Sequence, residues 1–366
     1  MNPDQLLYCV ALKYLDGIGP TRARALVSHA GGVREVFVAS LKELSLAEGV
    51  GQRLVMKMNR EAALKKAEQE LSYTGKLGLK AVTFLDKNYP RRLSYCSDAP
   101  LVLYAKGEVD FNSEKVISVV GTRNATPYGK RMVDRLIEGL KVHNPVIVSG
   151  LALGIDGCAH RAALTNGLRT IAVLGHSLDR IYPSQHRSLA AQITTSGALV
   201  TEFGLETKPD RENFPMRNRI VAGIADATLV VETGAEGGSM ITARLASDYN
   251  RDVFAVPGPV DAPWSTGCNL LIKTNRAVLV ESAADIEYQL GWERKQKVGN
   301  AQKQMFIDLD EHERLVVEVL KKKEREMLDN ISLEAGLPVS QTSTILLELE
   351  FKGVVRCLPG KVYCLN

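Results

Sequence analysis

The sequence lacks the long apolar run that a membrane-spanning helix requires. None of its stretches approaches the roughly 18 apolar residues needed to cross a bilayer. The opening residues, MNPDQLLYC, carry neither a basic segment nor a cleavage signature, so we predict no secretion signal. Its six cysteines are scattered and form no CxxC pair, which argues against a zinc site and a disulfide framework. We therefore expect a cytoplasmic protein with reduced thiols, no membrane partner and no bound metal.

Two common nucleotide-binding signatures are also missing. A dinucleotide site needs GxGxxG after the first strand and an acidic residue about 20 residues later. The two main glycine turns of this chain, GTRNATPYG and SGLALGIDG, do not have that spacing, and no GxxxxGK[ST] loop is present. The sequence therefore disfavours NAD and ATP chemistry, and we predict no cofactor.

The composition that is present is that of a globular protein with two or three domains. The 366 residues are 45% apolar and 24% charged, with a formal net charge of +4 at pH 7. This mildly basic balance permits a nucleic-acid partner without demanding one, because only a clustered basic patch would favour such a partner.

The middle of the chain has the pattern of an α/β fold. Two short β-branched runs, at 116–120 and 146–149, each end in a glycine turn that leads into a helical pattern. Further strands are predicted at 170–175, 197–203, 227–233, 252–258 and 277–282. Helices are predicted at 128–142, 157–165, 183–196, 218–223 and 239–249. We predict a doubly wound, mostly parallel sheet within a domain at 76–290.

The region before this domain, residues 1–75, reads as helical. Two Gly-apolar-Gly turns, at 17–19 and 49–51, each precede a helix, as in helix–hairpin–helix modules. Such a turn can present main-chain N–H groups to a nucleic-acid phosphate. It can equally be a tight connection between helices, and both interpretations stay open. Arg91 and Arg92, just after this region, are predicted to be solvated surface residues.

The region after the α/β domain begins with a polar, lysine-rich linker at 291–306. Residues 307–366 then follow the order helix, helix, turn, helix and two-stranded hairpin, which is the order of a winged helix. This region carries 8 Lys and Arg against 11 Asp and Glu, so it is net acidic. Because an acidic winged helix binds DNA poorly, we predict a protein-contact or regulatory role for it.

The carboxyl ends of the first two parallel strands carry groups that suit an anion. Ligands of a doubly wound sheet bind beyond these ends. Here they carry Gly121 and Arg123 after one strand and Ser149, Gly150 and Gly154 after the next. Glycines allow close approach to a phosphate, helix N-termini offer N–H groups, and arginine offers a fork of donors. We therefore predict an anion-binding crevice.

The segment NFPMRNRI and the residues just before it form the sharpest basic–aromatic cluster of the chain. Phe214 offers a stacking face, Arg211, Arg217 and Arg219 offer cations, and Asn218 can hydrogen-bond a base edge. Stacking on an aromatic ring with arginines on phosphates is how single strands are bound without sequence preference. We predict nucleic-acid contact here.

A further glycine turn, GAEGGSMITA, opens another helix with Gly238 and Ser239 in its first turn. It is a second helix start that suits an anion. In the later segment PGPVDAPWSTGCNLLI, Ser265, Gly267 and Asn269 could line the same crevice or only shape turns.

Two other polar pairs have structural interpretations that we favour. Asp156 and His160 lie four residues apart, a spacing that suits acid–base chemistry but equally suits a capping aspartate with a packed histidine. Asp179 and Tyr182 in LDRIYP indicate a turn with a structural tyrosine. The sequence therefore assembles no catalytic group.

Six motifs, in this order, resemble the DNA-processing protein A family, also called DprA or Smf. They are VGTRNATPYG, SGLALGIDGCAHRAAL, TIAVLGHSLDRIYP, NFPMRNRI, GGSMITARLA and VFAVPGPVD…STGCNLLI. The match runs over roughly residues 80–285. It implies an extended Rossmann-like core, an N-terminal helix–hairpin–helix or SAM-like domain, a C-terminal winged helix and a homodimer.

The resemblance also implies a function. It is that of a non-catalytic protein that binds and protects incoming single-stranded DNA during natural transformation and helps to load the recombinase RecA. The family's pocket arginine corresponds to Arg123, its backbone turn to Ser149 and Gly150, and its stacking aromatic to Phe214. The DNA contacts further include Arg211, Arg217, Asn218, Arg219, Gly238 and Ser239. Two departures from the family pattern are Gly-Gly-Ser-Met at 237–240 and the cations Lys273 and Arg276.

Two alternatives belong to other functional classes. Phosphoribohydrolases share the fold in outline but carry a PGGxGT signature with a nearby glutamate, whereas the corresponding turn here is GAEGGSM. A duplex-binding regulator would use the winged helix, whose acidic balance argues against it. The leading interpretation requires that Arg123 and Phe214 lie on one side of the sheet and line one cleft.

Overall fold

The computed structural model describes residues 3–108, 110–292 and 309–365. The chain divides into two units, Met1–Ala283 and Ala284–Asn366. Most of the predicted linker, residues 293–306, lies outside the described residues. The domain boundaries placed at 75 and 290 stay predictions. Among the described residues no helix combines the length and the apolar character that crossing a bilayer requires.

The first part of the chain is helical, as predicted. Its helices are Pro3–Leu12 (α1), Pro20–Ala30 (α2), Glu35–Val38 (α3), Leu41–Leu44 (α4), Gln52–Val55 (α5) and Arg60–Lys76 (α6). Arg22 on α2 donates to the carbonyls of Gly17 and Gly49 at 3.0 and 3.1 Å, so it ties the two glycine turns together. Leu12 and Leu26 share one hydrophobic core with Tyr104 of the sheet region, which anchors these helices.

Nine strands of the described residues form one sheet. They are Lys80–Thr83 (β1), Val102–Gly107 (β2), Val116–Gly121 (β3), Val146–Ser149 (β4), Thr170–Val173 (β5), Ala198–Thr201 (β6), Ala227–Val231 (β7), Asp252–Ala255 (β8) and Val278–Leu279 (β9). Their order is β1-β2-β6-β5-β4-β3-β7-β8-β9. The pairs β1–β2 and β2–β6 are antiparallel and the others are parallel. This confirms the doubly wound, mostly parallel α/β fold.

Helices connect these strands. They are Arg91–Ser94 (α7), Pro127–Leu140 (α8), Ile155–Thr165 (α9), Arg187–Ser196 (α10), Asn213–Gly223 (α11), Gly238–Asp248 (α12) and Thr266–Lys273 (α13), and a further helix, Ala283–Gln289 (α14), follows β9. The prediction for α11 was wrong by five residues at its start, because Pro215 falls in the first turn, where a helix tolerates proline. Thr126 caps α8 by accepting from the Gly129 N–H at 3.3 Å, and Pro127 supplies a fixed φ at its first position.

The order in which the chain adds parallel strands to the sheet reverses at β3 and β7. After β3 the chain adds β4, β5 and β6 on one side, and it then crosses back to place β7 on the other side of β3. The hydroxyls of Ser118 on β3 and Thr228 on β7 are 2.7 Å apart and fully buried, so they join the two strands at this switch. Ligand sites of doubly wound sheets lie beyond the carboxyl ends of such strands.

The C-terminal unit is a winged helix, as predicted. Its elements are Glu311–Lys323 (α15), Arg325–Met327 (β10), Leu328–Ala335 (α16), Val339–Phe351 (α17), Val355–Leu358 (β11) and Val362–Leu365 (β12). The strands form a sheet in the order β10-β12-β11. Asp310 and Glu313 form a capping box at the start of α15, and Lys352 donates to both Glu313 carboxylate oxygens at 2.6 and 2.7 Å.

The prediction that Arg92 is a solvated surface residue was wrong. Arg92 lies on the short helix α7 and forms a two-pronged ion pair with Asp226 at 2.5 and 2.9 Å. Only 13% and 9% of the two side chains are exposed. Asp226 also accepts from the Val116 N–H at 2.8 Å, so this pair fastens the start of β3 to the segment before β7.

We predict that Asp226→Ala destabilises the fold strongly. Removing one partner of a buried ion pair leaves the other charge uncompensated, which costs about 3–5 kcal/mol. Denaturant unfolding should show this loss in the free energy of unfolding. Asp134→Ala, which removes an exposed carboxylate from α8, is the matched control and should change it by no more than about 0.5 kcal/mol. Equal stability of both variants would contradict the assignment.

A buried histidine makes stability depend on pH. Burial lowers the pKa of His160 from 6.5 to about 3, and its Nδ1 lies 2.7 Å from the Thr170 hydroxyl. Since the folded pKa is depressed, the stability is present above pH 6.5 and is lost as the pH falls toward 3. This single group should contribute a slope of about 1.4 kcal/mol per pH unit in that window. Unfolding free energies of His160→Gln should fall less steeply between pH 6 and 5 than those of the unaltered protein, and parallel slopes would refute the prediction.

Candidate nucleic-acid interface

A cleft of about 550 Å³ opens beyond the carboxyl ends of β3 and β7, at the switch point of the sheet. Of the residues predicted to bind nucleic acid, Gly121, Arg123, Arg211, Phe214, Arg217, Asn218, Gly238 and Ser239 line it. The remaining lining residues are Val120, Thr122, Asn124, Ala152, Asp156, Pro215, Thr233, Gly234, Glu236, Gly237, Ile241, Thr242 and Trp264. The structure therefore brings most of the predicted set to one place.

Arg123 and Phe214 lie side by side. The guanidinium carbon of Arg123 is 5.5 Å from the centroid of the Phe214 ring, within the range of a cation–π contact. Phe214 is half-buried and is the second residue of α11. Its ring packs on Gly175, where an added Cβ would lie 3.0 Å from the ring. The loop after β5 thus holds the ring in position while Arg123 stays exposed.

Arg217 forms the floor of the cleft. Its side chain is only 5% exposed, and its Nη1 donates to the Val173 carbonyl at 2.8 Å. The guanidinium rests directly on Gly150, where any Cβ would overlap it. Burial lowers the pKa of Arg217 and the neighbouring Asp156 carboxylate raises it, but a guanidinium remains charged at neutral pH. Within the described residues no atom accepts from its Nε, which is itself buried.

The turn between β4 and α9 is fixed by hydrogen bonds to a buried side chain that follows it, Asp156. The Asp156 carboxylate accepts from the N–H groups of Gly150 and Ala152 at 3.1 and 3.3 Å, and burial raises its pKa. Ser149 is fully buried and donates to the Val119 carbonyl at 2.6 Å, so it supports the floor and does not line the cleft. Gly154 has a φ of +78° just before α9, a backbone conformation that favours glycine. Ser149, Gly150 and Gly154 therefore shape the site from below.

The start of α12 faces the cleft from the β7 side. Gly237 precedes this eleven-residue helix, and no side chain of the described residues caps it. The Ser239 hydroxyl donates to the Thr233 hydroxyl at 2.6 Å, which leaves the main-chain N–H groups of the first turn without a side-chain acceptor. Such a helix start attracts anions through its N–H groups and its dipole.

Arg219, one of the predicted contacts, does not line the cleft. It donates to the Asp98 carbonyl and to the Glu202 carboxylate, and it is only 8% exposed. Positions two apart on a helix point about 200° away from each other, so Arg217 and Arg219 cannot face the same ligand. Arg219 instead joins α11 to the structure on the far side of the helix.

Sequence reasoning missed Trp264. This half-buried side chain lines the cleft, and its carbonyl accepts from the Thr233 N–H at 2.6 Å. Of the neighbours considered at first, Asn269 hydrogen-bonds both backbone groups of Gly258 and Gly267 donates to the Thr233 carbonyl, so both have turn roles. The available signal was a tryptophan in a proline-rich loop that follows a strand.

The buried acids near the cleft, Asp156 and Glu232, are engaged in structural bonds, whereas Glu236 lines the cleft and is exposed. Glu232 accepts from the hydroxyl and the N–H of Thr126, the latter at 2.9 Å, and so fixes the start of α8. Across the described part of the chain, His, Cys, Asp and Glu do not form a group of three that could hold a metal. The cleft thus offers cations, N–H groups and aromatic faces, which is the chemistry of binding a polyanion with exposed bases.

Comparison with known proteins agrees with this geometry. The family model described as DNA recombination-mediator protein A matches residues 80–291, and that of the DprA winged helix domain matches residues 307–361. Protein Smf of a Synechocystis species is 33% identical, with 99% of each chain covered.

Two solved structures are similar. The X-ray structure of DNA processing protein A from Streptococcus pneumoniae has a TM-score of 0.67 at 32% identity, covering 77% of this chain and 97% of that one. The Helicobacter pylori protein, solved to explain its unique single-stranded DNA binding mode, has a TM-score of 0.53 at 29% identity, covering 58% and 96%. With its family match over more than half its length, this chain belongs to the DNA recombination-mediator protein A family, whose members are also called DprA or Smf.

Proposed function

We propose that this protein binds single-stranded DNA in the cleft beyond β3 and β7, protects the strand and helps to load RecA onto it during natural transformation. The observation that carries the proposal is the exposed guanidinium of Arg123 beside the Phe214 ring, in an open cleft whose floor is the buried cation Arg217. An exposed guanidinium offers a fork of donors to a phosphate oxygen, and the buried charge beneath it adds to the attraction.

The walls of the cleft suit the other parts of a nucleotide. Phe214 presents a stacking surface, and base–aromatic stacking tolerates every base because each has a π-face. Arg123 is exposed beside that ring and Arg211 is exposed at the cleft, so both can neutralise phosphates. A duplex hides its bases inside the helix, so a stacking surface of this kind favours a single strand. The single-stranded DNA binding of the Helicobacter pylori relative supports the same ligand class.

The proposal is for a binder and not for an enzyme. Asp156, Glu232 and His160 each have a structural partner, so their side chains are already engaged. The cleft therefore holds a sugar–phosphate chain without breaking it. A homodimer and a contact with RecA belong to the proposal through membership of the family, and the acidic winged helix suits a protein-contact or regulatory role.

We expect Arg123→Ala to weaken binding to all single-stranded sequences about equally, by several-fold. Because one phosphate contact is lost, the slope of log affinity against log salt should fall by about 1. Fluorescence anisotropy with matched single- and double-stranded oligonucleotides measures both effects. Arg135→Ala removes an equally exposed arginine on α8 and should leave both unchanged. Unchanged binding in Arg123→Ala, or a preference for duplex, would refute the cleft as the DNA site.

The loading role makes a separate prediction. RecA filaments should assemble faster on single-stranded DNA when this protein is present, and the DNA should resist nuclease digestion. Since both effects depend on DNA held in the cleft, Arg123→Ala should reduce them together, whereas Arg135→Ala should not. Tight single-strand binding with no effect on RecA assembly would remove the loading role and leave the binding role intact.

A further inference from the structure

Three aromatic side chains follow the carboxyl edge of the sheet from one side of the cleft to the other. Tyr182 lies in the loop after β5, Phe214 packs on Gly175 of that loop, and Trp264 lines the cleft next to the residues that follow β7. We propose that these rings form one stacking track, with successive parts of a single strand on Tyr182, Phe214 and Trp264. This inference rests on the proposed function and adds two base-binding positions to it.

Tyr182 has the exposure that a stacking surface needs. Its side chain is 47% exposed, and its ring centroid lies 6.1 Å from that of Phe214 with the planes inclined at 31°. The residues before it are fixed, because Ile181 packs against the core and Asp179 is hydrogen-bonded to Ser177 and Arg180. A structural tyrosine would bury its ring, so the earlier interpretation of Tyr182 explains its loop but not its exposed face. A ring held on a fixed loop loses little conformational entropy when a base stacks on it.

The spacing assigns Tyr182 and Phe214 to different nucleotides. The 6.1 Å between these centroids lies within the roughly 4.5–7 Å of two aromatic rings in direct contact, which leaves no room for a base between them. No base therefore fits between them, and each ring must offer a separate face. The strand would pass from one to the other along the edge of the sheet.

Trp264 extends the track toward the residues that follow β7. Its backbone is fixed by the Thr233 N–H, and its ring packs near Gly234, where an added Cβ would lie 3.8 Å from the ring. The cleft that Phe214 and Trp264 both line also presents Arg123, Arg217 and the start of α12. The phosphates of a strand stacked on both rings would thus pass the strongest anion-binding groups of the cleft.

Cations also accompany the Tyr182 end. Arg161 of α9 is exposed, and it packs over Gly157 beside His186, which follows Tyr182 closely in the chain. Arg180, two residues before Tyr182 in the chain, is partly exposed and is paired with Asp179 at 2.7 Å. Two arginines thus belong to the segments around the Tyr182 loop.

The stacking position at Tyr182 can be tested with oligothymidylates of about 4 and about 12 nucleotides, lengths that fall within common single-strand site sizes. Tyr182→Ala should weaken binding of both oligonucleotides by about fivefold or more, because its ring lies 6.1 Å from that of Phe214 and even the shorter strand reaches it. Tyr182→Phe keeps the ring and should bind both like the unaltered protein. Phe214→Ala should weaken both lengths.

The stacking position at Trp264 can be tested by fluorescence, because the chain contains only two tryptophans, Trp264 and Trp292. In a Trp292→Phe variant, emission comes from Trp264 alone, and a stacked base should quench it on titration with the short oligonucleotide. Adding Arg123→Ala to that variant should shift the quenching curve to higher DNA concentration. Emission that stays constant while anisotropy reports binding would overturn the Trp264 position.

The outcomes distinguish failure of the stacking track from failure of single-stranded DNA binding by the cleft. If Phe214→Ala weakens binding and Tyr182→Ala does not, the track is wrong and the cleft still binds DNA. If Tyr182→Phe is as weak as Tyr182→Ala, the hydroxyl or the loop matters and not the stacked ring, which also overturns the track. If the unaltered protein binds neither oligonucleotide, the proposed function fails and the track fails with it.

Discussion

The placement of Arg217 is the constraint on which the rest of the cleft depends. Removing a cation from water costs several kcal/mol, and the protein offsets only part of this through the Val173 carbonyl and the nearby Asp156 carboxylate. The guanidinium can occupy this position only because residue 150 has no side chain. A dry, preorganised cation interacts with an anion more strongly than a solvated one does, since little water screens the contact. The floor of the cleft thus combines the electrostatic cost of a buried cation with a field that little water screens.

The surrounding structure keeps that floor rigid. Asp156 fixes the turn after β4, Ser149 fastens β4 to β3, and the Ser118–Thr228 pair fastens β3 to β7. Asp156 thus supports the floor, whereas Glu236 is an exposed acid that lines the cleft. Phe214 and Arg217 sit three residues apart on α11, so one helix face delivers both the stacking ring and the cation.

Much of the fold could be predicted from the sequence because its strands are short β-branched runs that end in glycine turns. The cleft followed from the position of those turns, since parallel strands place their carboxyl ends along one edge. What failed was the assignment of side chains to faces. Placing the start of α11 at Asn218 instead of Asn213 hid the helical phase of NFPMRNRI, and with that phase the sequence separates Arg217 from Arg219. Arg92 and Trp264 were missed for another reason, because their partners lie far away in the sequence.

The ring of Tyr182 could be placed in a turn from the sequence, but its exposure to solvent could not be predicted. Sequence shows that a loop needs Asp179 and a proline, but it does not show which side of that loop faces water. The structure supplies that information through one distance, the 6.1 Å to Phe214, and one exposure, 47% for Tyr182. Because Phe214 and the Tyr182 loop both rest on the segment after β5, a shift of that segment would move both rings together. The segment at the carboxyl end of β5 therefore sets the distance between the rings of Tyr182 and Phe214.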